Sequence, residues 1–149
     1  LFFATIGMVY SRTHTRDITQ MSGLMKQIPF IGVAFVIAGF ACLGLPGLSG
    51  FIAEASIFIG AFQNDSSWIR IVSIFAILSI TITAIYVLRS ANRFLSGPLS
   101  HPSIIDANFK EKLSIILFVI PLFFLGLFPS GISEWIDSSL LPIYTHLMR

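Results

Sequence analysis

A long apolar run, residues 28–62, constrains the fold of this chain more than any other feature. At about 1.5 Å per residue, one continuous helix of that length would measure roughly 52 Å, whereas the hydrocarbon core of a bilayer is about 30 Å thick. The run must therefore tilt strongly, break, or turn back on itself. Three glycines and a proline lie close together at residues 44–50, near its middle.

The composition indicates an integral membrane protein. Hydrophobic residues make up 55% of the 149-residue chain and charged residues only 11%, whereas a soluble domain has about 25% charged residues. The net charge of +2 gives no reason to expect a nucleic acid partner. Because Cys42 is the single cysteine, an internal disulfide framework is excluded.

The apolar segments predict an all-α membrane protein with a single membrane domain over residues 1–149. The chain starts with Leu1 and has no signal-peptide features, so we expect it to be the C-terminal part of a multi-span helical bundle. The predicted parts are the end of a span at 1–10, a broken span at 28–62, spans at 69–94 and 113–128, and an interfacial tail at 130–149. A frayed polar tail is the alternative for the last part, where Trp135 would otherwise lie at headgroup depth.

Loop residues predict where the later helices begin and end. Gly97-Pro98 and His101-Pro102 should end the third apolar segment. Asn108 and Glu111 have the spacing of a capping box, which should start the last span. Pro121 lies within that span and is expected to kink it.

The basic residues predict the orientation in the membrane. The loops after the first and third segments should lie on the cytoplasmic side or its equivalent, because cytoplasmic loops carry the excess of Lys and Arg. Those loops hold Arg12, Arg16, Lys26, Arg89, Arg93, Lys110 and Lys112, and the opposite side holds Arg70 and Arg149.

Three structures are possible for residues 28–62: a hairpin of two short spans, one tilted helix, or a discontinuous helix. Each arm of a hairpin would be shorter than the roughly 20 residues needed to cross a bilayer, so we favour the discontinuous helix. Transporters use such breaks to present half-helix ends to ions. The predicted break motif is Gly44, Pro46, Gly47, Ser49 and Gly50, with Ser49 expected to cap the second half.

Glu54 is the main candidate for a functional residue. It is the only charged side chain between Lys26 and Asp65, and an acid within a membrane segment is costly unless it has a role. The dipole of the second half-helix favours the charged form, whereas desolvation favours the neutral form. This balance suits a group that binds and releases protons. The alternatives are a structural ion pair or hydrogen bond with a neighbouring helix, or Na⁺ coordination.

A polar face on the third segment gives weaker predictions. Thr83 and Tyr86 could line a hydrated path, or form hydrogen bonds between helices. His14 could collect protons at a cytoplasmic mouth, or simply be solvated. The face consists of Ser79, Thr83, Tyr86, Ser90 and Arg93, at helical spacing. No cluster has metal-ligand spacing, and no catalytic nucleophile–base pair stands out.

Two motifs resemble a known family. Arg12-Thr13-His14-Thr15-Arg16-Asp17-Ile18 and the Gly44–Glu54 motif GLPGLSGFIAE are similar to the antiporter-like membrane subunits of respiratory complex I, of the type called chain M in bacteria and chain 4 in mitochondria. Further similarity lies in Tyr86 to Arg93 with Gly97-Pro98, in Lys110-Glu111-Lys112, and in Gly126-Leu127-Phe128-Pro129. Related chains often carry lysine at the position of Glu54, so the acid favours this type.

The resemblance implies a proton-translocating subunit of NADH:quinone oxidoreductase, with Glu54 as proton carrier and other membrane subunits as partners. It implies no cofactor in this chain, with NADH, flavin, iron–sulfur clusters and quinone on other subunits. The expected location is a bacterial plasma membrane or the mitochondrial inner membrane. Two alternatives stay open: a subunit of a multisubunit cation/proton antiporter or membrane-bound hydrogenase, and a structural membrane module in which Glu54 forms an ion pair.

Overall fold

Six α-helices account for most of the residues in the computed structural model, which describes residues 1–17, 21–97 and 104–147. A single 3₁₀ turn, Leu24–Lys26, precedes the second helix. The α-helices are α1 (Phe2–Thr13), α2 (Pro29–Cys42), α3 (Ser49–Gln63), α4 (Ser67–Leu95), α5 (Phe109–Leu127) and α6 (Ser130–Leu147). The chain is all-α in its described part, as the sequence predicts.

The core of the bundle forms around α2, which packs against α1, α4 and α5. The ring of Phe35 stacks on Phe2 of α1 at 5.0 Å and on Phe94 of α4 at 4.7 Å between ring centroids. Ile28 and Ile31 are fully buried in the same hydrophobic core. Aromatic stacking therefore joins three helices that are far apart in the sequence.

One described helix, α4, is long and apolar enough to cross a membrane. It has 29 residues, and only 11% of its most apolar window is buried inside the structure. Trp68 and Phe75 are among its exposed side chains, at 72% and 68% exposure. A helix with this much exposed apolar surface needs lipid or other helices around it.

The predicted capping box at the start of α5 is confirmed. The side chain of Asn108 accepts from the backbone of Glu111, and the backbone N–H of Asn108 donates to Glu111 Oε2 at 2.7 Å. α5 then continues through Pro121 to Leu127.

The two basic loops lie at the same end of the bundle. Arg12 at the end of α1 forms a salt bridge with Glu111 at the start of α5, with an Nη2–Oε2 distance of 2.6 Å. The N–H of Gly23 donates to the carbonyl of Ser96, which follows α4, at 3.2 Å. This arrangement agrees with loops on a common side of a membrane, although the cytoplasmic orientation stays a prediction.

Some of the residues named in the predictions lie outside the described ranges. α4 ends at Leu95, and Pro98, His101 and Pro102 lie outside the described residues. Ile18 of the first family motif also lies outside them. The tail is helical as α6 over Ser130–Leu147, and its position at a membrane interface stays a prediction.

Candidate functional site

Residues 43–48, which we call the break, separate α2 from α3. The N–H of Leu48 donates to the carbonyl of Leu45 at 3.1 Å, which closes a turn with Pro46 and Gly47 at its centre. Gly47 has φ 95°, and a positive φ after proline is typical of a type II turn. Gly44 is also left-handed, with φ 61°. Glycine at these two positions avoids the strain that an L side chain would cause.

Three of the last four carbonyls of α2 accept hydrogen bonds from residues of the break. The N–H groups of Leu43 and Gly44 donate to Gly39 and Ala41, at 3.1 and 3.3 Å, and that of Leu45 donates to Phe40 at 3.3 Å. α2 therefore ends in a closed backbone turn, not in a frayed end.

The two helices beside the break have different main neighbours. α2 packs mainly on α1 and also on α4 and α5, whereas α3 packs mainly on α5 and also on α4. Contacts between α2 and α3 are few and include a close approach of Gly50 to the carbonyl of Ala41. The helices thus do not lie side by side along their length, as the two arms of a hairpin would.

Glu54 directs its carboxylate back to the break. It is the sixth residue of α3, and helical side chains tilt toward the N-terminus of their helix. A Cβ added at Gly44 would collide with Glu54 Oε2 and would lie 3.0 Å from its carboxyl carbon. The carboxylate therefore occupies the space beside Gly44 where any other residue would place its side chain.

Glu54 is half-buried, and it forms no hydrogen bond or ion pair with any residue that the structure describes. A structural ion pair would need a partner outside these residues. Both carboxylate oxygens are available to such a partner, to water or to a proton.

The prediction that Ser49 caps α3 is wrong. The cap position is Leu48, in extended conformation, and no side chain caps this helix end. Leu48 is 5% exposed, so its burial sets the start of the helix one residue earlier than a serine cap would need. Ser49 is instead the first residue of α3.

A cavity of about 480 Å³ lies beside the break. Ser49 and Gly50 line it from α3, and Cys42 lines it from α2. Pro121 of α5 lies in the opposite wall. Most of the lining is apolar, and Ser49 and Cys42 contribute polar side chains to it.

Gly126 of α5, which is part of the motif Gly126-Leu127-Phe128-Pro129, makes a close contact that the sequence analysis did not predict. A Cβ there would collide with the carbonyl of Gly47 and would lie 2.5 Å from the carbonyl carbon of Leu48. The backbone of α5 thus packs directly on the break. A glycine within an otherwise bulky apolar helix is the sequence feature that could have predicted this close contact.

The polar face of α4 does not join Glu54 through hydrogen bonds in the described residues. The hydroxyls of Ser79 and Thr83 donate to carbonyls of their own helix, at 2.7 and 3.2 Å. Tyr86 is 57% exposed. These residues do not form hydrogen bonds between described helices, and the hydrated path stays a prediction.

His14 ends α1 in a left-handed conformation, with φ 52°. Its side chain is exposed and meets the ring of Tyr10 edge-on, with 6.3 Å between ring centroids. It lies at the end of the bundle that holds the basic loops. Its role in collecting protons stays a prediction.

Comparisons with known proteins agree with the resemblance. The family described as NADH:quinone oxidoreductase/Mrp antiporter, TM, matches residues 1–83. NAD(P)H-quinone oxidoreductase chain 4 1 of Trichormus variabilis is 31% identical over 155 aligned positions, which cover 99% of this chain and 29% of the relative. NAD(P)H-quinone oxidoreductase chain 4 of Gloeobacter violaceus is 34% identical over 137 positions, which cover 87% of this chain and 26% of the relative.

A solved structure has the same fold. Respiratory complex I from Thermus thermophilus with bound NADH contains a chain that matches with a TM-score of 0.72 and 31% identity, over 83% of this chain and 25% of that chain. The present chain thus spans between a quarter and three tenths of the length of these proteins. Because the family match covers residues 1–83 of 149, more than half of the sequence, the chain belongs to the NADH:quinone oxidoreductase/Mrp antiporter transmembrane family.

Proposed function

We propose that this chain is part of a proton-translocating membrane subunit of an NADH:quinone oxidoreductase, and that Glu54 carries the proton. In this proposal α2 and α3 are the two halves of one discontinuous membrane span. The chain does no redox chemistry itself, and NADH, flavin, iron–sulfur clusters and quinone bind to other subunits. Its partners are the other membrane subunits and the lipid bilayer of a bacterial plasma membrane or mitochondrial inner membrane.

The position of the Glu54 carboxylate carries this proposal. It lies against Gly44 at the break, half-buried and without a hydrogen bond to any described residue. A carboxylate that is not engaged in protein hydrogen bonds can gain or lose a proton without first breaking one. The backbone freed by a break in a membrane helix needs a protein or water-filled environment, and the same environment can pass protons.

The cavity beside the break supports a route for water. Its lining includes Ser49 and Gly50, and Gly50 lies one helical turn before Glu54 on the same face of α3. Water that enters there would need only a short step to reach the acid. Thr83 and Tyr86 on α4, and His14 at the end of α1, remain proposed members of the path.

Glu54→Gln tests the proposal in membrane vesicles that contain the assembled complex. Glutamine keeps the size of the side chain but does not carry a proton at neutral pH. We expect fewer protons translocated per electron pair, while the subunit is still present at its normal level. Glu134→Gln removes an exposed acid on α6 and serves as the matched control. Wild-type proton transfer in E54Q would exclude the carrier role.

A subunit of a multisubunit cation/proton antiporter is the second candidate, because the matching family description includes the Mrp antiporters. Purification of the full-length protein from its own membrane, followed by mass spectrometry, separates the two. Copurification of flavin- and iron–sulfur-binding subunits supports the oxidoreductase. Copurification of membrane subunits alone supports the antiporter.

A further inference from the structure

We propose that Gly44 is a positioning residue for Glu54: the absence of a side chain at residue 44 creates the space that holds the carboxylate. The inference rests on the proposed role of Glu54 as proton carrier and adds a second residue to the site. Gly44 lies within the break and Glu54 lies in α3, ten positions later, and they meet only because the backbone turns between α2 and α3.

All three atoms of the Glu54 carboxyl group lie close to the position that a Cβ on Gly44 would occupy. A Cβ on Gly44 would collide with Oε2, and it would lie 3.0 Å from the carboxyl carbon and 3.3 Å from Oε1. The three nearest atoms to this position all belong to Glu54. The Glu54 carboxylate is thus the group that would have to move first if a methyl group were added.

Close packing against Gly44 positions the Glu54 carboxylate, because no described residue forms a hydrogen bond with it. Glu54 has no hydrogen-bond partner among these residues that would keep its side chain in place after a collision. A methyl group at residue 44 would turn the side chain to another rotamer and move the carboxylate away from the break. A displacement of about 1 Å can slow a positioned reaction on the order of a hundredfold.

Gly47 provides a matched control for backbone strain. Its φ of 95° is also positive and lies further from the left-handed α region than the φ of 61° at Gly44, so Gly47→Ala strains the backbone at least as much as Gly44→Ala does. A Cβ at Gly47, however, would meet only Leu127 Cδ2, at 4.0 Å, and not the carboxylate. The comparison of the two variants therefore separates the collision from the strain.

Glu54→Asp provides the rescue. Aspartate is shorter by one methylene group, so its carboxylate does not reach the space that a methyl group at residue 44 would fill. G44A should thus impair proton transfer in the wild-type background and have a much smaller effect in the E54D background. Strain at residue 44 is the same in both backgrounds and cancels in the comparison.

The experiment measures protons translocated per electron pair, the rate of NADH oxidation and the amount of subunit in vesicles with the full complex. The variants are G44A, G47A, E54D, G44A/E54D and E54Q. We expect G44A to lose more proton transfer than G47A at an equal amount of subunit, and the loss to shrink in the double variant. Equal losses in G44A and G47A would overturn the inference.

The remaining outcomes also decide the question. If G44A does not assemble, recovery of assembly in G44A/E54D supports the collision, and failure to recover attributes the defect to the backbone and overturns the inference. If E54D alone transfers no protons, the double variant is uninformative, and the comparison of G44A with G47A tests the role of Gly44. A wild-type result for E54Q rejects the proposed function itself, whereas an E54Q defect with equal G44A and G47A defects rejects only the role of Gly44.

Discussion

Arg12 holds Glu111 with two hydrogen bonds, from Nη1 to Oε1 at 3.0 Å and from Nη2 to Oε2 at 2.6 Å. The same guanidinium donates to the carbonyls of Met8 and Ile105, at 2.9 and 2.8 Å. One arginine thus joins the last turn of α1, the loop before α5 and the first turn of α5. The planar fork of arginine suits this two-point contact, which lysine does not reproduce.

The Arg12 contact predicts that stability at this end of the bundle depends on pH. The hydrogen bond from Arg12 holds the pKa of Glu111 below its ordinary value of 4.5, and burial opposes this effect. A lowered pKa means that the stabilisation is complete above pH 4.5 and is lost as the pH falls below 4.5 through the folded-state pKa.

Hydrogen exchange of residues 104–112 in the purified complex measures this dependence. Wild-type protection should exceed that of Glu111→Gln at neutral pH, and the difference should shrink as the pH falls below 4.5. A difference that stays constant over this range would contradict the prediction.

Replacement of Arg12 should lower the local stability at the start of α5, by an amount that depends on the new residue. We expect Arg12→Ala to cost on the order of 1–3 kcal/mol of local stability, because charged hydrogen bonds at partly buried positions are lost. Arg12→Lys should fall between R12A and wild type. Arg16→Lys is the control, because Arg16 is exposed and its described contact is with the face of the Tyr10 ring, at 4.9 Å. Hydrogen exchange of the first turn of α5 is the measurement.

Asp106 caps α2 from a distant loop. Its Oδ2 accepts from the N–H of Phe30 at 3.0 Å, and its Oδ1 from that of Ile31 at 3.5 Å. Asp106→Ala should cost about 0.5–2 kcal/mol, the usual range for loss of an N-terminal cap. Faster hydrogen exchange in the first turn of α2 would be the signature. Asp106→Asn, which keeps one acceptor oxygen, should retain part of the protection.

Gly126→Ala should disrupt packing at the break. The added methyl would meet backbone atoms of Gly47 and Leu48, which cannot turn aside as a flexible side chain can. Overpacking of this kind costs about 1–3 kcal/mol. Gly131→Ala, where nothing lies within 4 Å, is the control. The amount of subunit in the purified complex, and its thermal midpoint, compare the two variants.

Local patterns in the sequence predicted two features of this structure. The glycines and proline near the middle of the long apolar run predicted the position of the non-helical residues between α2 and α3, and Asn108 with Glu111 predicted the start of α5. These features depend on neighbouring residues and on hydrophobic length. The prediction for Ser49 failed because burial of Leu48, which depends on tertiary packing, sets the first residue of α3.

Contacts between distant residues were not predictable in the same way. The return of Glu54 to Gly44 depends on the direction of the chain after the turn at Pro46-Gly47. The cap that Asp106 supplies to Phe30 joins residues 76 positions apart. A single sequence gives no information on which of many polar residues will meet across such a distance.

The contact between Gly126 and Gly47 makes the two left-handed glycines of the break unequal. Gly47 packs directly on the main chain of α5, where neither backbone can give way to an added side chain. At Gly44, the atoms nearest to the Cβ position are those of the Glu54 carboxyl group. One part of the break is therefore held by backbone packing, and the other lies against a side chain that can adopt another rotamer.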